Sequence, residues 1–199
     1  RGKVRDIYDL GENLLIVATD RVSAFDVVLP TPIPCKGRVL NQLSLFWFDL
    51  MKDIVENHVV ESDVEKYPKS LKIYANILRG RSMIVRKAIP VPAECVVRGY
   101  LAGSGWKDYK NGHPICGVTL TSGLVESSKL DEAIFTPTTK AEEGHDLSLT
   151  FAKLVNLVGI GTAQKLRGNT IRIYERARKI AYDRNIIIAD TKFEFGMID

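Results

Sequence analysis

Near the end of the sequence, IIIADTKFEFG (residues 186–196) sets Asp190, Lys192 and Glu194 behind three isoleucines. Alternate residues of a strand project to one face, so this spacing predicts two carboxylates and an ammonium side by side. Such oxygens suit Mg²⁺, which takes one or two carboxylates together with phosphate oxygens and water, and the lysine would offset charge on a substrate anion. The competing reading is a solvated strand end held by a salt bridge. A second cluster combines Glu94, Arg98 and Ser104 with Gly99, Gly103 and Gly105. A guanidinium fork, a hydroxyl and glycine-flanked backbone N–H groups can share one phosphate. A helix starting near Ser104 would add its positive end, although the same residues also read as a capped helix after a glycine turn.

Three further places carry candidate groups. The opening RGKVRDIY puts Gly2 beside Lys3 and Arg5, and a residue without a side chain lets backbone N–H groups approach phosphates. A basic strand with one face in water is the alternative. Ser23, Asp26 and Lys36 lie in the proline-broken stretch 21–37, where loop residues could reach a ligand. Asp146, just ahead of an apolar helical pattern, is either an N-cap or a group that binds metal or an amine.

The elements that must position these groups follow from pattern. RDIYDL (5–10) and NLLIVATD (13–20) flank Gly11 and Glu12 as a β-hairpin. Pro30, Pro32 and Pro34 exclude a helix or central strand from 21–37, leaving a long loop or a broken edge strand. From Val39, Leu40, Leu43, Phe46, Trp47, Leu50 and Met51 recur at helical spacing and are expected to pack inward, with Asn41 and Gln42 on the other side. Residues 58–69 read as a short strand and a loop, with His58 on the surface. The stretch 82–105 gives two strands joined across Pro90 and Pro92, a joint that resembles a hinge between subdomains. A short strand is expected at 115–120 and an exposed excursion at 127–129. A long amphipathic helix spans 162–184, with Ile173, Ala177, Ile180 and Ala181 facing the core. The isoleucines from Ile186 then suit a strand covered on both faces.

Composition narrows the function class. The chain has 199 residues, 45% hydrophobic and 26% charged, which is ordinary for a globular protein with a substantial core. A formal charge of +4 is too weak to argue for nucleic acid yet compatible with an anionic small substrate. Cys35, Cys95 and Cys116 are widely spaced, with no CxxC pair and no matching histidine cluster, so neither a zinc site nor a disulfide framework is indicated. A cytoplasmic protein is the default expectation, without a membrane span or a signal-peptide layout. Because the chain opens on Arg1, it reads as a piece of a longer protein.

PVPAECVVRGYLAGS (90–104) and IADTKFEFG (188–196) resemble the two signature regions of the SAICAR synthetases, the phosphoribosylaminoimidazole-succinocarboxamide synthases. RGKVRDIY, SAFD (23–26) and the lysine–glycine pair 36–37 resemble the same family in the same order. This resemblance implies an α+β fold of two subdomains around a nucleotide cleft, related to ATP-grasp and kinase-like architectures. Residues 1–88 would form a mainly antiparallel β subdomain with one helix, covering the ATP phosphates. Residues 89–199 would form an α+β subdomain that binds substrate and metal. The family continues with a further strand, an acidic metal-binding residue and an arginine-bearing segment, which this sequence lacks.

The implied activity is that of an ATP-dependent carbon–nitrogen ligase. ATP, L-aspartate and carboxyaminoimidazole ribonucleotide (CAIR) give SAICAR, ADP and phosphate in purine biosynthesis. An acyl phosphate is the implied intermediate, and Mg²⁺ the implied cofactor. By motif, Lys3, Arg5 and Lys87 would lie near ATP, with the backbone of 88–93 near adenine. Glu194 would hold Mg²⁺, and Arg98 and Ser104 the ribonucleotide 5′-phosphate. Lys192 would lie between the reacting groups, Asp190 and Asp146 would position metal, substrate carboxylate or amine, and Asp26 and Lys36 would contact substrate. The expected partners are these small molecules rather than nucleic acid or membrane, and a homo-oligomer is left open. Another ATP-dependent ligase or phosphotransferase, or a noncatalytic nucleotide-binding module, remains the alternative.

Overall fold

The computed structural model describes residues 1–25, 27–140 and 147–198. Asp26 and Asp146 lie outside the described residues. The chain forms two compact units, Arg1–Ala88 and Ile89–Met197, of mixed α and β structure. Among the described residues no helix is long and apolar enough to cross a membrane.

In the first unit, the hairpin β1 (Arg5–Asp9) and β2 (Asn13–Ala18) turns at Gly11, whose φ of 88° explains the residue type there. The proline-rich stretch is crossed by a two-residue ribbon, β3 (Ser23–Ala24) with β4 (Val27–Val28). Helix α1 (Lys36–Met51) follows, then β5 (Val59–Glu61), a 3₁₀ turn at Val64–Lys66, α2 (Lys69–Lys72), α3 (Ala75–Leu78) and β6 (Ser82–Arg86). The strands form one antiparallel sheet in the order β1-β2-β6-β5. Leu15, Val17 and Ile84 from the sheet pack with Val64, Tyr67 and Leu78 as its core.

The seating of α1 overturns one expectation. Met51 is buried as expected, but Leu40, Leu43 and Phe46 are each about half exposed, whereas Asn41 is buried. The Asn41 amide donates to the carbonyls of Gly80 and Ser82, and these bonds offset its desolvation, so a polar residue faces inward where the apolar stripe was expected. The start of α1 is fixed just as tightly. The Asp20 carboxylate accepts the Gly37 N–H at 2.9 Å and the Arg81 guanidinium at 3.2 Å. The first of these bonds is the main reason that Asp20 sits below its ordinary carboxyl value.

In the second unit, β7 (Ile89–Pro90) leads into β8 (Ala93–Tyr100), the strand on which the sheet is built. Helix α4 (Gly103–Lys110), β9 (Lys129–Phe135), β10 (Thr138–Thr139), α5 (Phe151–Val158), α6 (Ile160–Tyr182), β11 (Asp190–Phe193) and β12 (Gly196–Met197) follow. β8 pairs antiparallel with β9, β10 and β11, and β12 pairs with β7. Ala93 and Cys95 of β8 pack with Phe135, Leu149, Leu154, Ala163 and Leu166 as a core, to which Phe193 and Phe195 add.

Four local expectations change here. The stretch 115–120 is a turn closed by the Ile115–Val118 bridge rather than a strand, because Cys116 (φ 51°) and Gly117 (φ 86°) reverse the chain. Lys129 opens β9 instead of ending an exposed excursion. The N-cap of α5 is Thr150, whose hydroxyl accepts the Lys153 N–H. Ile186 and Ile187 are 56% and 62% exposed and precede the strand. They are taken up by the end of α6: Asn185, at φ 59°, and Ile186 donate back to the carbonyls of Tyr182 and Ala181 in a Schellman arrangement.

Gly37 offers a direct test of the first unit's packing. A Cβ there would stand 2.3 Å from the Ala18 carbonyl oxygen. The helix-propensity gain of Gly37→Ala, about 1 kcal/mol, should be outweighed by overpacking of about 1–3 kcal/mol or more. Urea unfolding is expected to show a net loss of stability; an unchanged or higher midpoint would refute the contact.

Candidate active site

The alternation of β8 divides its side chains between two surfaces. Cys95 lies in the core described above, while Val96 and Arg98 line a cavity of about 320 Å³. On β11 the register opposes Asp190 to Arg98 and Lys192 to Val96, so both charged residues enter the same cavity. Ser104 reaches it from the first turn of α4, and Thr136 and Thr138 from the β9–β10 segment. Four residues singled out in the sequence, Arg98, Ser104, Asp190 and Lys192, are therefore brought together.

Arg98 is the most constrained of them. Its side chain is only 12% exposed. Nε donates to Thr136 Oγ1 (3.1 Å), Nη1 to the Ala102 carbonyl and to Asp190 Oδ2 (3.3 Å each), and Nη2 to Ser104 Oγ (2.9 Å). A guanidinium withdrawn from water needs all these partners. Gly105 makes room for it, since a Cβ there would stand 3.3 Å from Arg98 Cδ.

Lys192 bonds directly to Glu94 Oε2. Glu94 is 8% exposed and also lies near the Thr138 hydroxyl at 3.5 Å. Sequence reasoning placed Glu94 in the cluster without giving it a role; the available signal was a carboxylate inside the apolar run AECVV, four residues from Arg98 and hence on its face. Thr136, Thr138 and Asp108, all lining the cavity, were missed. Glu194 projects to the side shared by Asp190 and Lys192, as the alternation of burial along 190–195 shows, and pairs with Lys140 at 2.9 Å.

The cavity's one thiol, Cys116, is pushed above its ordinary value by burial, which keeps it protonated. Cys95 is pushed up to about 11, chiefly by burial. Neither is built as a nucleophile. Among the described residues no three His, Cys, Asp or Glu side chains form a metal cage. Mg²⁺ does not require one, because it binds through one or two carboxylates plus substrate phosphates, and the partly exposed Glu194 and Asp190 carboxylates have that chemistry.

The first-unit candidates are arranged separately. The Arg21 guanidinium donates to the carbonyls of Gly2 (2.9 Å) and Lys3 (3.1 Å) and to both oxygens of Asp6, so the opening loop is held against the start of β1. The hydrogen bond from Arg21 is the main reason that Asp6 lies below its ordinary value. Arg5 and Lys36 line a second cavity, of about 430 Å³, with Trp47, Phe48 and His58. His58 meets Phe48 edge-on at 5.4 Å and is lowered first by desolvation and then by the Arg5 charge. Lys87 pairs with Asp9 at 2.8 Å.

Comparison with known proteins places this geometry. The family model for SAICAR synthetase matches residues 1–199. The chain is 60% identical over 196 residues to the phosphoribosylaminoimidazole-succinocarboxamide synthase of Thermodesulfovibrio yellowstonii, covering 98% of this chain and 67% of that protein. It is 60% identical over 198 residues to the enzyme of the same name from Geobacter sulfurreducens, covering 99% and 67%. The SAICAR synthase of Saccharomyces cerevisiae, solved in complex with SAICAR, superimposes with a TM-score of 0.89 at 40% identity, covering 100% of this chain and 67% of that one. The SAICAR synthetase of Pyrococcus horikoshii, at 23% identity and TM-score 0.77, shares the fold. The class is thus that of the ATP-dependent carbon–nitrogen ligases. The chain belongs to the SAICAR synthetase family, whose reaction is the ATP-dependent step joining L-aspartate to CAIR in purine biosynthesis.

The Arg98 clamp can be tested without a ligand. Thr136→Val keeps the shape of a fully buried side chain but removes the acceptor of Arg98 Nε. Urea denaturation should show a loss of about 1–3 kcal/mol, and unchanged stability would mean that the hydroxyl does not hold the guanidinium.

Proposed function

We propose that this chain carries the CAIR- and aspartate-handling machinery of an ATP-dependent SAICAR-forming ligase, with its substrate anions gathered at the β8–β11 cavity. The observation that carries this reading is the convergence of Arg98, Ser104, Asp190 and Lys192 on that one cavity. Arg98 and Ser104 bind the 5′-phosphate through charge-assisted and neutral donors, aided by the N-terminal end of α4. Thr136 and Asp190 set the plane of the guanidinium before substrate arrives.

A carboxylate is a poor acylating agent, because its oxygen leaves badly. The γ-phosphoryl group of ATP is therefore transferred to the CAIR carboxylate oxygen, releasing ADP. The aspartate amine then attacks the acyl carbon, phosphate departs, and the amine gives up a proton as the amide forms. This sequence requires neutralised charge and close positioning more than a protein nucleophile. Lys192, steered by Glu94, supplies positive charge between the reacting groups. Asp190 and Asp146 position the substrate carboxylate or amine, and Asp26 and Lys36 contact substrate. In the unit formed by Arg1–Ala88, Lys3, Arg5 and Lys87 serve the ATP phosphates; Ile89–Met197 binds substrate and metal. Glu194 and Asp190 would hold Mg²⁺, which when bound neutralises phosphate charge. The protein works in the cytoplasm.

The test is coupled ADP release with ATP, CAIR and L-aspartate omitted in turn. Sustained release should require all three, and continued ADP formation without aspartate and CAIR would contradict the reading. In the same assay Arg98→Ala should weaken CAIR binding by about 10- to 150-fold, the equivalent of one lost hydrogen bond to a charged group. An unchanged CAIR affinity would reject the role given to Arg98.

A further inference from the structure

We infer that Tyr174, which does not line the cavity, is a positioning residue for it: through the Ile188 carbonyl its hydroxyl fixes how Asp190 and Lys192 enter. This inference rests on the substrate reading of that cavity given above.

Three observations carry it. Tyr174 lies on α6, is fully buried, and donates from its hydroxyl to the Ile188 carbonyl at 2.8 Å. That carbonyl belongs to the stretch between α6 and β11, two residues before Asp190. Phenylalanine would fill a purely apolar site equally well, so the hydroxyl has a specific task.

Gly99 is the second observation. Its backbone is not at positive φ, so conformational freedom does not explain the residue type. Space does: a Cβ at Gly99 would fall 1.9 Å from the Tyr174 hydroxyl oxygen. The strand that carries Arg98 thus keeps a gap at the next residue, and the tyrosine hydroxyl fills it. The Gly99 N–H also donates to the Ala189 carbonyl at 3.0 Å, so Tyr174 and Gly99 hold two successive carbonyls of the incoming segment.

The third is the shortness of the strand that the segment feeds. Ile186 and Ile187 are largely exposed, and β11 pairs with β8 over only four residues, Asp190 to Phe193. A slip of one residue would reverse every side chain. Thr191 and Phe193 would then face the cavity, and Asp190 and Lys192 the apolar core. The hydrogen bond from Tyr174 opposes that slip from the α6 side of the sheet.

The experiment compares wild-type protein with Tyr174→Phe, using Tyr67→Phe as a control. Tyr67 also loses a buried hydroxyl contact, to Ser82, but lies in the other unit. Amide hydrogen exchange over 188–193 should quicken in Tyr174→Phe and not in Tyr67→Phe. The KM for CAIR should rise roughly 3- to 10-fold while the KM for ATP stays within about twofold. A general loss of stability would instead move both constants, and would do so in both variants. Unchanged exchange over 188–193 in Tyr174→Phe, or an unchanged KM for CAIR, would overturn the inference. If wild-type protein neither binds nor converts CAIR, the functional reading fails, and hydrogen exchange alone then decides whether Tyr174 sets the strand.

Discussion

A guanidinium that is almost wholly withdrawn from solvent cannot be left short of partners, and the second unit is organised around meeting that demand for Arg98. Three pieces of chain around β8 do so: the segment just after β9 supplies Thr136, the start of α4 supplies the Ala102 carbonyl and Ser104, and β11 supplies Asp190. A shift of any of these pieces would cost the guanidinium one of its hydrogen bonds. Glu94 applies the same constraint with the opposite sign, since a buried carboxylate needs Lys192. The two charges share one face of one strand, and the partner strand answers each with its opposite. Net charge in the cavity is thereby nearly balanced within the protein, so on the proposed reading a substrate anion would be met by preset donors rather than by a diffuse basic patch.

The strand period made part of this legible beforehand. Asp190, Lys192 and Glu194 had to share a face, and Arg98 and Ser104 had to approach one another across a glycine turn. Glu94 was equally readable as the one acidic residue in an apolar strand. Thr136 and Thr138 were hidden because the polar stretch KLDEAIF, which forms β9, does not alternate cleanly, and its pairing with β8 shifts register between Arg98 and Tyr100. Local pattern cannot reveal a strand whose register is set by its neighbour.

Two apolar runs misled for related reasons. Ile186–Ile188 looked like a covered strand because isoleucines favour that setting, yet the Asn185 turn ties this stretch to the end of α6. In α1 the Leu40–Leu43–Phe46 stripe has the period of a buried face, but Asn41 is drawn inward by the carbonyls of Gly80 and Ser82, and the stripe turns outward with it. Hydrophobic periodicity identified the helix and the inward place of Met51, but not the outward turn of Leu40, Leu43 and Phe46, which accompanies the two hydrogen bonds of Asn41. In both cases a backbone group several residues or a whole strand away settled the outcome.

The central claim is that the cations and hydroxyl gathered by β8, β11 and α4 form the seat of the ribonucleotide. A crystal structure of this protein with SAICAR bound tests it most directly. The 5′-phosphate should lie at hydrogen-bonding distance, roughly 3 Å, from both an Arg98 nitrogen and Ser104 Oγ, with Lys192 beside the newly formed amide. A phosphate bound elsewhere, with Arg98 still engaged only by Thr136, Ala102, Ser104 and Asp190, would contradict it.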